Sequence, residues 1–147
     1  AEIEVPLDTA RTLAQTFEAM RATTTPDRNI MNSILKNVLE KDESFNGVWT
    51  LWEPNALDGK DSEYVGKPGY DETGRFLPLW NRDGGSIQQV AIVDYETGEF
   101  YNLPKQTGQE TVTNPYLYPV DGEYAPMSSI VVPIKYNLNC NIKCNTF

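Results

Sequence analysis

Four acidic residues fall close together, Asp58, Asp61, Glu63 and Asp71. Several oxygens on one short stretch are what a hard cation such as calcium requires. The spacing does not reproduce the EF-hand pattern D-x-[DN]-x-[DN]-G with a distal Glu, and Lys60 stands inside it. The plainer reading is a solvated loop whose Asp and Asn side chains make turns, and no metal ligand set is assigned. Paired carboxylates could also hydrolyse a glycosidic bond, with tryptophans as sugar platforms, if two of them faced each other about 5–10 Å apart; nothing in the sequence marks such a pair. There is no histidine, which removes the commonest general base, the Ser-His and Cys-His nucleophile pairs and most transition-metal sites. No cofactor is expected, since neither GxxxxGK[ST] nor GxGxxG occurs. The two cysteines, Cys140 and Cys144, cannot build a disulfide framework or a four-ligand zinc site, and the asparagines around them argue against a helix there.

The aromatic residues carry more. Trp49, Trp52, Tyr64, Tyr70, Trp80, Tyr95, Tyr116 and Tyr118 interleave with Glu53, Arg75, Asp94 and Asp121. Aromatic walls with a few orienting polar groups are what small-ligand pockets use, and aromatic faces also attract ammonium groups. The competing reading is that each is a core residue with one satisfied polar tip. Trp49 and Trp52 have an odd spacing and cannot share one face of a regular strand, so at least one is expected against helices.

These residues need a scaffold. At 147 residues with 39% hydrophobic and 11% aromatic content, the chain has material for one real core. Its net charge of −9 disfavours nucleic acid and an anionic membrane surface. No apolar run approaches the roughly 20 residues that span a bilayer, and no signal peptide is visible. The chain begins at Ala1, as a processed protein or an excised domain would. Leu7, Ala10, Leu13, Ala14, Phe17 and Met20 form one face of a first helix. Thr25 is expected to cap a second, with Pro26 at its first position and Ile30, Met31, Ile34, Leu35, Val38 and Leu39 on its apolar face. Strands are expected over 45–52, 87–95, 116–120 and 128–134, with a strand or helix over 75–80 broken by Pro78 and a short helix within 100–109. Residues 55–74 read as a long loop. Helices followed by strands with hairpin turns make an α+β fold with a central, mainly antiparallel sheet.

The run Gly47-Val48-Trp49 … Trp52-Glu53-Pro54-Asn55-Ala56 … Asp58-Gly59-Lys60-Asp61 resembles the Cache sensor domains, of double Cache type, of bacterial methyl-accepting chemotaxis proteins. Thr73-Gly74-Arg75-Phe76 … Pro78-Leu79-Trp80-Asn81-Arg82, Asp94-Tyr95, Tyr101 … Leu103-Pro104, Pro115-Tyr116-Leu117-Tyr118-Pro119 and Met127-Ser128-Ser129 … Val132-Pro133-Ile134 continue in the family's order. The resemblance implies a long N-terminal helix and a PAS-like lobe: residues 1–41 as helical region packing on the sensor lobe, 42–134 as the ligand-binding lobe, and 135–147 as an atypical tail, foreign or truncated.

It further implies a non-enzymatic, extracytoplasmic (periplasmic) part of a membrane-anchored receptor. Such a domain binds an amine, amino acid or carboxylate and signals through its long helix, which could also form a homodimer. The missing membrane span is then read as excision from a membrane protein. The ligand-binding residues it suggests are Trp49, Trp52, Tyr64, Arg75, Trp80, Asp94, Tyr116 and Tyr118, with Arg75 for an anionic group and Asp94 for a cationic one. Tyr118 stands where amino-acid-binding members carry an acid in Pro-Tyr-x-Asp, and where they have an Arg followed by adjacent Trp and Tyr this chain reads Arg75-Phe76-Leu77-Pro78-Leu79-Trp80, so that only Arg75 and Trp80 carry over. The alternatives are the same module on a histidine kinase or a cyclic-dinucleotide enzyme, and an extracellular carbohydrate-active enzyme or lectin.

Overall fold

The computed structural model describes residues 3–135 and 143–146. The first helix, α1 (Glu4–Arg21), buries Ala10, Leu13, Ala14 and Phe17, with Leu7 and Met20 packed at the margin of the same cluster. This is the expected face, and burying Phe17 contributes roughly 1.5–3 kcal/mol. The second helix, α2 (Arg28–Lys41), starts later than its sequence suggests. Asp27, not Thr25, is the cap, and its carboxylate accepts from the Asn29 and Ile30 backbone N–H groups. A carboxylate at this point satisfies two orphan donors and suits the helix dipole, so it outcompetes the Thr hydroxyl. Met31, Leu35 and Leu39 are buried as expected, but Ile30 is 52% exposed and Arg28 is buried at the helix's first turn.

Strands β1 (Gly47–Leu51), β2 (Pro78–Asn81), β3 (Gln88–Ala91), β4 (Thr111–Val112), β7 (Ile130–Ile134) and β8 (Lys143–Thr146) form one sheet in the order β3-β2-β1-β8-β7-β4, every neighbour antiparallel. Pro78 opens β2, the position where a missing N–H costs least. A third helix, α3 (Glu99–Thr107), and a separate two-stranded hairpin, β5 (Tyr116–Val120) and β6 (Glu123–Met127), lie between β3 and β7 in the chain. Strand β6 escaped the sequence reading because Pro126 sits within it. As a hairpin strand with one free edge it tolerates the missing donor. Asp121 and Gly122 join the hairpin, both at positive φ (51° and 80°), which the tight two-residue turn demands.

The sheet separates two apolar clusters. On one side α1 and α2 pack on Val48, Trp52, Val132 and Ile134. On the other, Trp49, Leu51 and Val131 meet Phe100 and Tyr101 of α3. The odd spacing of the two tryptophans has its expected consequence: Trp52 faces the helices and Trp49 faces away. The tail divides: β8 pairs with β1 and β7 in mid-sheet, while Cys140, with 136–142 and 147, lies outside the described residues. Cys144 sits in β8, opposite Leu51 and Pro133.

Candidate ligand-binding cavity

On the face of the sheet away from α1 and α2, a cavity of about 320 Å³ opens between the sheet, α3 and the β5–β6 hairpin. Its walls come from several elements. In β1, Trp49 points to this side, and its cross-strand partner Leu79 of β2 stands beside it. Ile92, just past β3, adds an apolar wall. Phe100 enters from the first turn of α3. A Cβ at Gly98 would lie 2.3 Å from the Phe100 ring, so glycine is what lets the ring fold back against the start of the helix. Tyr116 and Tyr118, two apart on β5, project from one face of the hairpin. Ile3 and Pro6 of the α1 start, with Ser44, Phe45 and Asn46 before β1, close one rim.

The aromatic rings touch. Phe100 stacks on Tyr116 at 5.3 Å and meets Trp49 edge-on at 5.5 Å; Tyr118 lies edge-on to both Phe100 and Tyr116 at 6.4 Å. Two phenols tie the hairpin to the body. The Tyr116 hydroxyl shares a short hydrogen bond with Ser129 Oγ, and Tyr118 Oη accepts the Val93 N–H at 3.0 Å. Burial raises both phenols: Tyr116 moves up despite the Ser129 bond, and Tyr118 is pushed up to about 12. The Val93 bond partly offsets the burial of Tyr118, whereas Tyr116, Asp94 and Asp83 reinforce it. Both hydroxyls are therefore neutral hydrogen-bonding groups at neutral pH.

Of the eight residues suggested by the sequence, the cavity collects Trp49, Tyr116 and Tyr118. The other five stand elsewhere, each for a physical reason. Trp52 is fully buried in the helix-side cluster. Trp80 is one residue out of phase with Leu79; it faces α2, where its Nε1 donates to Asn32 Oδ1 at 3.1 Å. Tyr64 lies on the long loop, with the Arg28 guanidinium 4.1 Å from its ring centroid. Arg75 is buried, donating from Nε to the Trp52 carbonyl and from Nη1 to Tyr95 Oη, both at 3.1 Å, with Glu53 4.0 Å from Nη2. That guanidinium is engaged within the fold and is not part of the cavity wall. Asp94 is exposed and left-handed (φ 57°) at the start of a 3-10 turn, so it acts on the cavity only through its field on Tyr118. Sequence reasoning missed Phe100, Leu79, Ile92 and Ser129. No local signal marks them: Leu79, for one, reaches the cavity through its cross-strand pairing with Trp49.

Two members of the acidic cluster, Asp58 and Asp61, have a role that neither sequence reading gives them. Asp58 accepts from Arg28 Nε and Nη2 at 2.8 Å each, and Asp61 accepts from Arg28 Nη2 at 2.6 Å, while Arg28 Nη1 donates to the Gly74 carbonyl at 2.9 Å. The side chains of Arg28, Asp58 and Asp61 are 1%, 6% and 8% exposed, so these two carboxylates are not solvated, while Glu63 is exposed and Asp58 and Asp71 make the expected turns by accepting from the Lys60 and Thr73 N–H groups. Nor does the cluster gather a metal site: among the described residues no group of three or more His, Cys, Asp or Glu could hold an ion. Burial pushes the Asp58 carboxyl up, but its bonds from Arg28 and the Lys60 N–H prevail and hold it below the usual carboxylate range. Gly74 makes the close approach possible, since a Cβ there would lie 1.9 Å from the Asp61 carbonyl. The lining of the cavity likewise holds no facing carboxylates, so the carbohydrate-enzyme reading gains nothing from it.

A helix-backed antiparallel sheet with an aromatic cavity on its free face defines the architecture of a PAS-like sensor domain. The chain belongs to the family described as methyl-accepting chemotaxis protein-like, first PDC sensor domain, whose model matches residues 31–142. It is 31% identical over 104 residues to the methyl-accepting chemotaxis protein TlpQ of Pseudomonas aeruginosa, covering 60% of this chain and 15% of that one. Among solved structures it resembles the extracellular domain of mmHK1S-Z3, designated a histidine kinase (34% identity, TM-score 0.87, 98% of this chain, 50% of that one). It also resembles methyl-accepting chemotaxis protein X (30% identity, TM-score 0.81, 97% of this chain, 53% of that one). The chain thus spans about half the length of these solved domains and a small part of the curated receptor. No described helix is long and apolar enough to cross a membrane.

Proposed function

We propose that this chain is the ligand-sensing module of a bacterial chemoreceptor. It works outside the cytoplasmic membrane as a non-enzymatic part of a membrane-anchored protein. The cavity bounded by Trp49, Phe100, Tyr116 and Tyr118 is its ligand seat, and this half-open aromatic cavity in a sensor-domain fold is the observation that carries the reading. Its volume lies at the lower end of the ~300–1,000 Å³ of small-molecule pockets. Ligand shifts the domain between two arrangements in proportion to its differential affinity for them. Because Ile3 and Pro6 sit on the cavity rim, α1 is in direct reach of that shift and passes it on; a homodimer along the outward face of α1 belongs to the same reading. Of the three ligand classes implied by the resemblance, a carboxylate has the weakest support, because Arg75 is engaged elsewhere.

The test joins this module to the signalling half of a chemoreceptor and screens swimming cells alongside thermal shift of the isolated domain. A compound that raises the melting temperature should also bias swimming, and Ser128→Trp, which plugs the rim, should lose both responses. If no stabilising compound biases swimming, or if the plugged variant keeps both responses, the reading fails.

The likeness to mmHK1S-Z3 favours one alternative, in which the same module drives a histidine kinase. Joining the module to a kinase output and measuring ligand-dependent autophosphorylation separates the two.

A further inference from the structure

The chemistry of the cavity wall restricts what it can hold. Among the described residues that line it there is no Asp, Glu, Lys or Arg. A charged ligand entering there exchanges its hydration shell for a wall that offers no opposite charge, which is unfavourable unless a partner is supplied. An anion fares worst. The guanidinium of Arg75 is buried outside the lining, bonded through Nε and Nη1 to the Trp52 carbonyl and Tyr95 with Glu53 4.0 Å from Nη2, and the fields that reach Tyr118 from outside the lining come from Asp83 and Asp94.

A cation would have those fields and the aromatic rings in its favour, but the rings do not form a cage. Cages that bind ammonium groups present ring faces across a gap that the ion fills. Here Phe100 and Tyr116 stack on each other at 5.3 Å, and the remaining ring pairs touch at 5.5–6.4 Å. The rings make one continuous wall, with Leu79 and Ile92 extending it as hydrocarbon. The polar side chains of the lining are neutral, with Asn46 and Ser128 exposed at its rim and the other hydroxyls hydrogen-bonded within the fold. The Tyr116 hydroxyl is paired with Ser129, and Ser44 Oγ donates to Asp42 at 2.5 Å. Tyr118 Oη accepts from Val93, and its proton is left to donate.

We infer that the cavity takes a small uncharged ligand with a flat or branched apolar body and a hydrogen-bond acceptor placed for the Tyr118 hydroxyl. This rests on the cavity being the ligand seat. It narrows the ligand away from the charged classes that the sequence resemblance implies.

Three probes with one body and different charge test it: benzyl alcohol, benzylamine and benzoate, titrated into the domain at neutral pH by calorimetry or ligand-observed NMR. Each is repeated on Tyr118→Phe and on Ser128→Trp, a substitution at an exposed rim position. Benzyl alcohol should bind at least tenfold more tightly than either charged probe. Tyr118→Phe should reduce its affinity severalfold, and Ser128→Trp should abolish binding without lowering the melting temperature. Equal or tighter binding of benzylamine or benzoate, lost in Ser128→Trp, overturns the uncharged class while leaving the cavity as the seat. Unchanged benzyl alcohol affinity in Tyr118→Phe overturns the assigned donor. If no probe binds, or if binding survives Ser128→Trp, both this inference and the ligand-seat reading are wrong.

Discussion

The Arg28 clamp and the aromatic cavity belong to opposite sides of the same sheet and use opposite chemistry. The clamp concentrates charge: one guanidinium, two carboxylates and a backbone carbonyl, all buried and mutually satisfied. The cavity wall has no formal charge among its described residues and is held by ring contacts and two phenol hydrogen bonds. The clamp joins the start of α2 to residues 58–74 and has no exposed surface to offer a ligand. The cavity presents hydrocarbon, aromatic rings and neutral polar groups, among them Asn46, Ser128 and the two phenols. The charged clamp positions chain, whereas the cavity offers shape and aromatic surface. The acidic motif that looks most chemical in the sequence supplies two carboxylates to the clamp, and the chemically bland hairpin supplies Tyr116 and Tyr118 to the cavity.

The largest expected effect comes from breaking the clamp. Arg28→Met leaves Asp58 and Asp61 buried without their cation, which should cost about 3–5 kcal/mol in chemical denaturation. The same loss should appear in the native protein as acid is added. Because Asp58 has a lowered carboxyl in the folded state, its contribution is fully present above the unfolded carboxylate range and disappears as pH falls through the folded value. Acid should therefore destabilise the native protein, and Asp58→Asn should flatten that slope. A destabilised Arg28→Met whose affinity for benzyl alcohol is unchanged under folded conditions would sharpen the contrast. A variant that keeps its stability but loses the cavity's ligand would reverse it.

The cavity should fail at the other end of the pH scale. Tyr118 is raised from 10.0 to about 12 by burial. Its contribution is fully present below the unfolded value and is lost as pH rises through the folded one. Stability should drop on the order of 2 kcal/mol across that window, and Tyr118→Phe should remove most of the drop. At neutral pH the same variant should cost only about 0.5–1.5 kcal/mol, because one neutral hydrogen bond to Val93 is lost. Denaturant titrations at a series of pH values read both effects.

The two regions also differ in how much of them the sequence discloses. Helix α1 and the division of Trp49 from Trp52 follow from periodicity alone, because both express local geometry at 3.6 and 2 residues per repeat. The clamp is illegible: Arg28 lies 30 residues from Asp58 and 33 from Asp61, and nothing local signals that a cation at a helix N-terminus, unfavourable for the dipole, is answered by two carboxylates from a distant loop. The cavity is half legible. Tyr116 and Tyr118 share a face by spacing, and the family resemblance points to them. Arg75 and Asp94 were reasonable candidates by residue type, but their positions depend on Glu53, Tyr95 and a left-handed turn that only the tertiary structure brings together. Strand β6 was hidden because Pro126 carries a propensity that the free edge of a hairpin overrides.

The smallest effect tests whether the clamp, rather than apolar packing, sets the first turn of α2. Ile30 belongs to the apolar face by periodicity, yet it is 52% exposed, while its neighbour Met31 is fully buried. Arg28 enters the core instead and lies 5.5 Å from the Phe76 ring centroid. If the guanidinium fixes the helix's rotation, Ile30→Ser should change stability by no more than about 0.5 kcal/mol, as surface substitutions do. Met31→Ala should cost roughly 2–5 kcal/mol. The informative measurement is the double variant. With Arg28→Met in the background the first turn is free to rotate, and a serine at position 30 should then cost measurably more than it does in the intact protein. Strict additivity of the two substitutions would mean that Met31, Leu35 and Leu39 orient the helix by themselves and that the clamp only closes the loop.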